Sequence, residues 1–218
     1  MRTPKLLVTL LAIGMAMTGC SAETATVPMK TIQPTPTRNA SKALDKVPLL
    51  SLLPTAATAS TGIGTSLITG DKPQSATANT ATPRPTDGLT RCELAINGMR
   101  SAAFSEAASA SFIGSDNTDG SGGSYSSGLY RFKSNSEAKA FIDTFAKIGE
   151  YCPAQQGSRI EAWDSGIPES AGFIMTDSTT RYEDAFRKGK IVAVGDCPSA
   201  ESATEMLQLQ IRTLAGIK

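Results

Sequence analysis

A change of composition near residue 88 sets the main limit on what this chain can fold into. Between Ser21 and Asp87 it is dominated by Thr, Ala, Ser and Pro, in pieces such as QPTPTRNASK and SATANTATPRPTD. Such stretches hold too little apolar surface to offset the entropy of ordering, so most of this region is expected to be a tether. One island interrupts it: VPLLSLLP supplies Leu49, Leu50, Leu52 and Leu53. A short strand or turn docking on the domain behind it is the reading preferred there over a separate partner-binding segment. From about Gly88 onward the aromatic and aliphatic spacing becomes periodic, enough for one domain of ordinary size.

Within that domain, Arg91 to Met99 reads as a short helix beside Cys92. AAFSEAASASFIG reads as a strand, although its alanines also suit a helix, and SYSSGLYRFK as its partner across a Gly/Ser/Asp-rich turn. Ser134 and Glu137 have capping-box spacing, and Phe141, Ile142, Phe145 and Ile148 then fall on one helical face, with Gly149 as a stop. RIEAWD, GFIMTD, RYEDAF and KIVAV follow as strands, the last two joined by a tight hairpin at RKGK. A closing helix starts at Ser199, with a second capping-box spacing at Ser202 and Glu205. Ala203, Met206, Leu207, Ile211 and Leu214 are its expected core side. The pattern predicts an α+β domain: an antiparallel sheet with two amphipathic helices packed on one face.

The chain contains no histidine. That excludes His-based acid–base catalysis, Ser-His-Asp and Cys-His nucleophile systems, and imidazole zinc sites. No dinucleotide or P-loop motif appears, no nucleophile–base pairing is visible, and no cofactor is expected. The loop SDNTDG imitates the start of a calcium loop with Ser115, Asn117 and Asp119, but its twelfth position is Ser126 where a bidentate Glu is needed. No metal site is therefore assigned. Trp163, Tyr130 and Tyr182 are the aromatic side chains singled out for ligand contact, with packing the commoner role of a lone Trp. Glu161, Asp164 and Glu169 read as solvated acids.

The first residues bear on location. Arg2 and Lys5 precede an apolar run from Leu6 to Met17, then Thr18, Gly19 and Cys20, the three-part pattern of a secretory signal. The run is shorter than the roughly 20 residues a membrane span needs. MTGC resembles the lipobox of bacterial lipoproteins, with Met17 in place of the usual Leu. That resemblance implies cleavage before Cys20, lipidation of its thiol and a membrane anchor on the outer face of the cytoplasmic membrane. Loss of residues 1–19 would leave 19 basic against 20 acidic residues, a near-neutral chain unsuited to nucleic acid. In an exported chain the remaining Cys92, Cys152 and Cys197 would oxidise, and three single pairings are open.

FKSNSEAKAFIDTFAKIGEYC, RYEDAFRKGKIVAVGDC and ESATEMLQLQIRTLAGI, with PLLSLLP and LTRCELAI upstream, resemble the order of elements in mycobacterial PknH-type extracellular sensor domains. Related domains also occur as free actinobacterial surface lipoproteins. The resemblance implies an α+β domain with a cleft for an unidentified extracellular ligand and no catalytic residues. It also implies a Cys92–Cys152 disulfide, with Cys92–Cys197 as the alternative. The family pattern has four cysteines in two bonds, and this chain lacks the one that would precede the final hairpin. The expected division is a signal peptide (1–19), a flexible tether (20–45), a partly ordered linker with the leucine docking segment (46–87) and a sensor or binding domain (88–218). The expected function is a lipid-anchored, non-enzymatic extracytoplasmic module that binds a small ligand. The alternative is an accessory lipoprotein that docks an envelope protein or cell-wall polymer.

Overall fold

The computed structural model describes residues 44–77, 87–114, 123–152, 154–155, 158–177 and 179–216. The signal, Cys20, most of the tether and the SDNTDG loop lie outside them. Among the described residues nine antiparallel strands form one sheet: β1 (Leu67–Thr69), β2 (Gln74–Thr77), β3 (Glu106–Gly114), β4 (Ser124–Arg131), β5 (Ala154–Gln155), β6 (Ser158–Trp163), β7 (Ser170–Thr176), β8 (Thr180–Lys188) and β9 (Ile191–Cys197). Their order is β1-β3-β4-β9-β8-β7-β6-β5, with β2 also on the outer edge of β3. The helices are α1 (Ala56–Ile63), α2 (Arg91–Arg100), α3 (Asn135–Tyr151) and α4 (Ala200–Ala215), and a 3-10 turn spans Leu49–Leu52.

Local signals account for most of these elements. Ser134 and Glu137 cap each other's backbone at the start of α3, and Phe141, Ile142, Phe145 and Ile148 are buried. Gly189, at φ 62°, allows the two-residue turn between β8 and β9. Ser199 caps α4 by accepting from the Ser202 amide, so the Ser202–Glu205 spacing falls inside the helix and caps nothing.

The two long helices lie on opposite faces, which corrects the expected one-face packing. Phe141, Phe145 and Ile148 of α3 pack with Tyr130, Phe173, Ala185, Val192 and Val194. Leu207 and Leu214 of α4 pack with Ala108, Leu129, Phe186, Ile191 and Ala193. The reason lies in β9, where Ile191, Val192, Ala193 and Val194 are all buried in succession. A sheet covered on one face alternates, whereas a run of consecutive apolar residues needs cover on both.

The stretch expected as a linker is also part of the domain. Leu49 is fully buried and Leu52 nearly so beside α4, a burial of about 2 kcal/mol per leucine. Arg131 anchors the segment: its Nη2 donates to the Leu44 and Val47 carbonyls, at 2.9 Å and 2.5 Å. Its partner Glu106 accepts from the Leu49 amide at 2.7 Å. The leucine island thus docks on its own domain. Thr55 and Thr58 form a capping box that starts α1, whose Ala59 and Ile63 pack with Phe112, Cys197 and Met206.

Candidate functional site

Alternation assigns each strand residue to a face. On the face shared with α1 and α4 stand Ser127, Gly195 and Asp184, paired in register across β4, β9 and β8. Asp184 is fully buried, and neither carboxylate oxygen has a hydrogen-bond partner among the described residues. Burial, with Asp196 as a lesser cause, pushes its pKa up to about 8, and the nearby Gly195 amide offsets part of that shift. Beside it Gln210 donates from Nε2 to Ser127 Oγ and the Val194 carbonyl at 2.8 Å and 3.1 Å. Cys197, a free buried thiol, belongs to this layer, and burial raises its pKa strongly. A shallow groove between α1 and α4 is lined by Ala57, Thr61, Gly62, Leu209 and Arg212, with few polar groups converging on it.

Among the described residues the other face is covered only in part. Helix α3 packs chiefly on β6, β7 and β8, and α2 packs on α3. The Cys92–Cys152 disulfide, with Cα atoms 4.8 Å apart, ties α2 to the end of α3. Cys197 lies on the far side of the sheet from that bond and is unpaired among the described residues. Beyond the helices, the halves of β3, β4, β8 and β9 nearest Ser124 and Cys197 carry polar residues. Ser126, Asp196 and Glu183 pair in register across three adjacent strands. Ser109 is exposed, while Ser124, Ser126, Asp196, Glu183 and Arg181 are half-buried.

Arg181 holds Asp196 through Nε to Oδ1 at 2.7 Å and Nη2 to Oδ2 at 2.5 Å. Glu183 has no hydrogen-bond partner among the described residues. Desolvation first, then the neighbouring Asp196 charge, raises its pKa, with Arg181 opposing. The hydroxyls of Ser109, Ser124 and Ser126 likewise have no partner among the described residues.

The aromatic candidates divide between the faces. The Tyr130 ring stacks in the core against Phe141, at 5.8 Å, and meets Phe104 edge-on. Its hydroxyl reaches toward Gly128, at 3.9 Å from where a side-chain Cβ would stand. Trp163 stands over Gly172, where a Cβ would meet its ring, and edge-on to Tyr182, at 5.4 Å, on the opposite face. Glu161 and Glu169 pair with Arg159 and Arg187, and Asp164 accepts from the Gly166 amide. The row of Ser126, Asp196 and Glu183 was not among the sequence candidates, because only strand register brings it together. Among the described residues no cluster of three or more metal-ligating acids and cysteines occurs, and no helix is long and apolar enough to cross a membrane.

The fold is similar to that of the extracellular domain of the mycobacterial protein PknH. The extracellular domain of PknH from Mycobacterium tuberculosis superposes with a TM-score of 0.51 at 16% identity, covering 75% of this chain and 93% of that one. An uncharacterized protein from Mycobacterium smegmatis, the Rv0999 ortholog, gives a TM-score of 0.38 at 10% identity, over 81% of this chain and 97% of that one. No family model and no curated protein matches the chain.

Proposed function

We propose that this chain is an extracytoplasmic, non-catalytic sensor-like module, anchored through lipidated Cys20, whose open sheet face binds a small ligand. The observation that carries the reading is the open face itself. Polar side chains of four adjacent strands point one way there, and four of them, Ser109, Ser124, Ser126 and Glu183, have no hydrogen-bond partner among the described residues. The likeness of fold to an extracellular domain supports the location. So does the disulfide, since such bonds persist in oxidising compartments.

Orientation supports it further. The described chain begins at Leu44, beside Arg131 and Lys190 at the hairpin end of the sheet. Ser126 lies five residues back along β4, about 17 Å away at 3.4 Å per residue. The open face is thus on the half of the sheet remote from the tether.

Native mass spectrometry of the processed chain, isolated from envelope extract, tests the binding reading. A reproducible small adduct is the expected result, and bare protein contradicts it. For the anchor, inhibition of lipoprotein signal peptidase should leave an unprocessed precursor, and normal processing would rule out lipidation at Cys20. Docking of an envelope protein or cell-wall polymer is a second reading. It is favoured by Ile68 and Ile113, an exposed cross-strand pair at 54% and 45% exposure on the same side of the sheet. Retention only by a macromolecule would select it.

A further inference from the structure

We infer that the open face is a saccharide subsite, recognising a neutral polyhydroxylated ligand across β3, β4, β9 and β8. The inference rests on that face being the binding surface. Its residues are Ser109, Ser124, Ser126, Asp196, Glu183 and Arg181. The in-register row from Ser126 through Asp196 to Glu183 spans about 10 Å at 4.8 Å between strands, near the length of a disaccharide.

Charge decides against the other ligand classes. Arg181 is the cation of the row, and two of its nitrogens are already engaged by Asp196. An anion would meet two carboxyl groups, and the Nε–Nη2 edge of the guanidinium is already taken by Asp196. A cation would require Glu183 to ionise beside Asp196, against the effect of its desolvation. Apolar ligands would leave three serine hydroxyls unmet, which costs about 1–3 kcal/mol for each buried group.

Hydroxyl groups of a sugar both donate and accept, and the row offers both functions. Each of Ser109, Ser124 and Ser126 brings a donor and an acceptor, Glu183 brings a carboxyl group, and Asp196 brings spare lone pairs. Gly128, between Ser109 and Val194 in the register, lowers the floor and admits the Tyr130 hydroxyl beside it. The Arg181–Asp196 pair fixes the orientation of the Asp196 carboxylate, so little ordering remains for binding to impose.

The test is amide-resolved NMR titration of the processed full chain with chitotriose, cellotriose, galactotriose and arabinotriose, beside spermidine and citrate as charged probes. At least one sugar should give saturable shifts at Ser109, Ser126, Glu183 and Asp196. Ser126→Val, suited to a strand, should weaken that sugar at least tenfold while leaving the melting temperature in place. Glu183→Gln should retain binding because it keeps a neutral hydrogen-bonding group, and Glu183→Leu should abolish it. Shifts from spermidine or citrate with none from any sugar would overturn the saccharide assignment and leave the face as a binding surface. No response there to any probe, with an envelope ligand bound elsewhere, would overturn both readings.

Discussion

Glu183 and Asp184 are consecutive in β8 and chemically alike, yet they point to opposite faces of one sheet. Asp184 is sealed beneath α4 with neither oxygen partnered among the described residues, while Glu183 stands at the rim of the surface that α3 leaves open. The covered face has a continuous apolar seal of Leu49, Leu129, Ile191, Leu207 and Leu214. Its partner has a tight aromatic core on one half and hydroxyls and charges on the other. Covering a face gives stability; leaving part of one bare gives polar groups somewhere to meet a ligand.

Four changes would break or sharpen that contrast, in decreasing order of effect. Replacing both Cys92 and Cys152 by Ser removes a cross-link spanning 60 residues, which the chain-entropy relation values at about 4 kcal/mol. Denaturant unfolding should show that loss, together with faster amide exchange in α2. An unchanged midpoint would mean that α2 is held by packing alone. Leu207→Ala, in the covered face, should cost about 3 kcal/mol by the same measurement. A loss far below that would mean α4 is a loosely attached cover.

The third concerns Asp184. Its folded-state pKa is raised, so the folded protein holds a proton that the unfolded chain releases. The corresponding stability is complete below the ordinary carboxylate range, near 3.8, and is lost as pH rises toward about 8. Between about pH 6 and about pH 7.5 the wild type should lose about 2 kcal/mol from this group, at about 1.4 kcal/mol per pH unit. Asp184→Asn should flatten that slope, and an unaltered slope would assign the titration elsewhere. Smallest of all, Ser126→Val on the bare surface should change stability by less than about 0.5 kcal/mol. A larger loss would show that Ser126 supports the fold and is not held free for binding.

What could be read from the chain follows the range of the interactions involved. The capped start of α3, its aromatic stripe, the RKGK hairpin and the Ser199 cap are set by residues within one or two turns of each other. Local pattern therefore sufficed for them. Helix α1 (AATASTGI) and strand β2 (QSAT) are built mostly from Ala, Thr and Ser, and β1 is only the three residues LIT, in a region whose composition suggests a tether. They form because α4 and the edge of β3 supply the partners, a tertiary effect that local propensity does not carry. The placement of α3 and α4 on two faces was written in IVAV of β9, whose lack of alternation signals cover on both sides. The Cys92–Cys152 pairing came from the family resemblance, and the structure contains it.

Less of the candidate site was legible. Tyr130, Trp163 and Tyr182 drew attention as aromatic rings, but two of them share the face opposite the open surface. Ser126 and Glu183 are 57 positions apart, and register alone brings them into one row. No local spacing encodes that meeting.

Hydrogen exchange of the processed full chain, with and without envelope extract and resolved to single strands, tests the central claim most directly. The account predicts added protection in β4, β8 and β9 around Ser126, Glu183 and Asp196, with α1 and α4 unchanged. Protection confined to α1 and α4, or none on any strand of the open face, would contradict it.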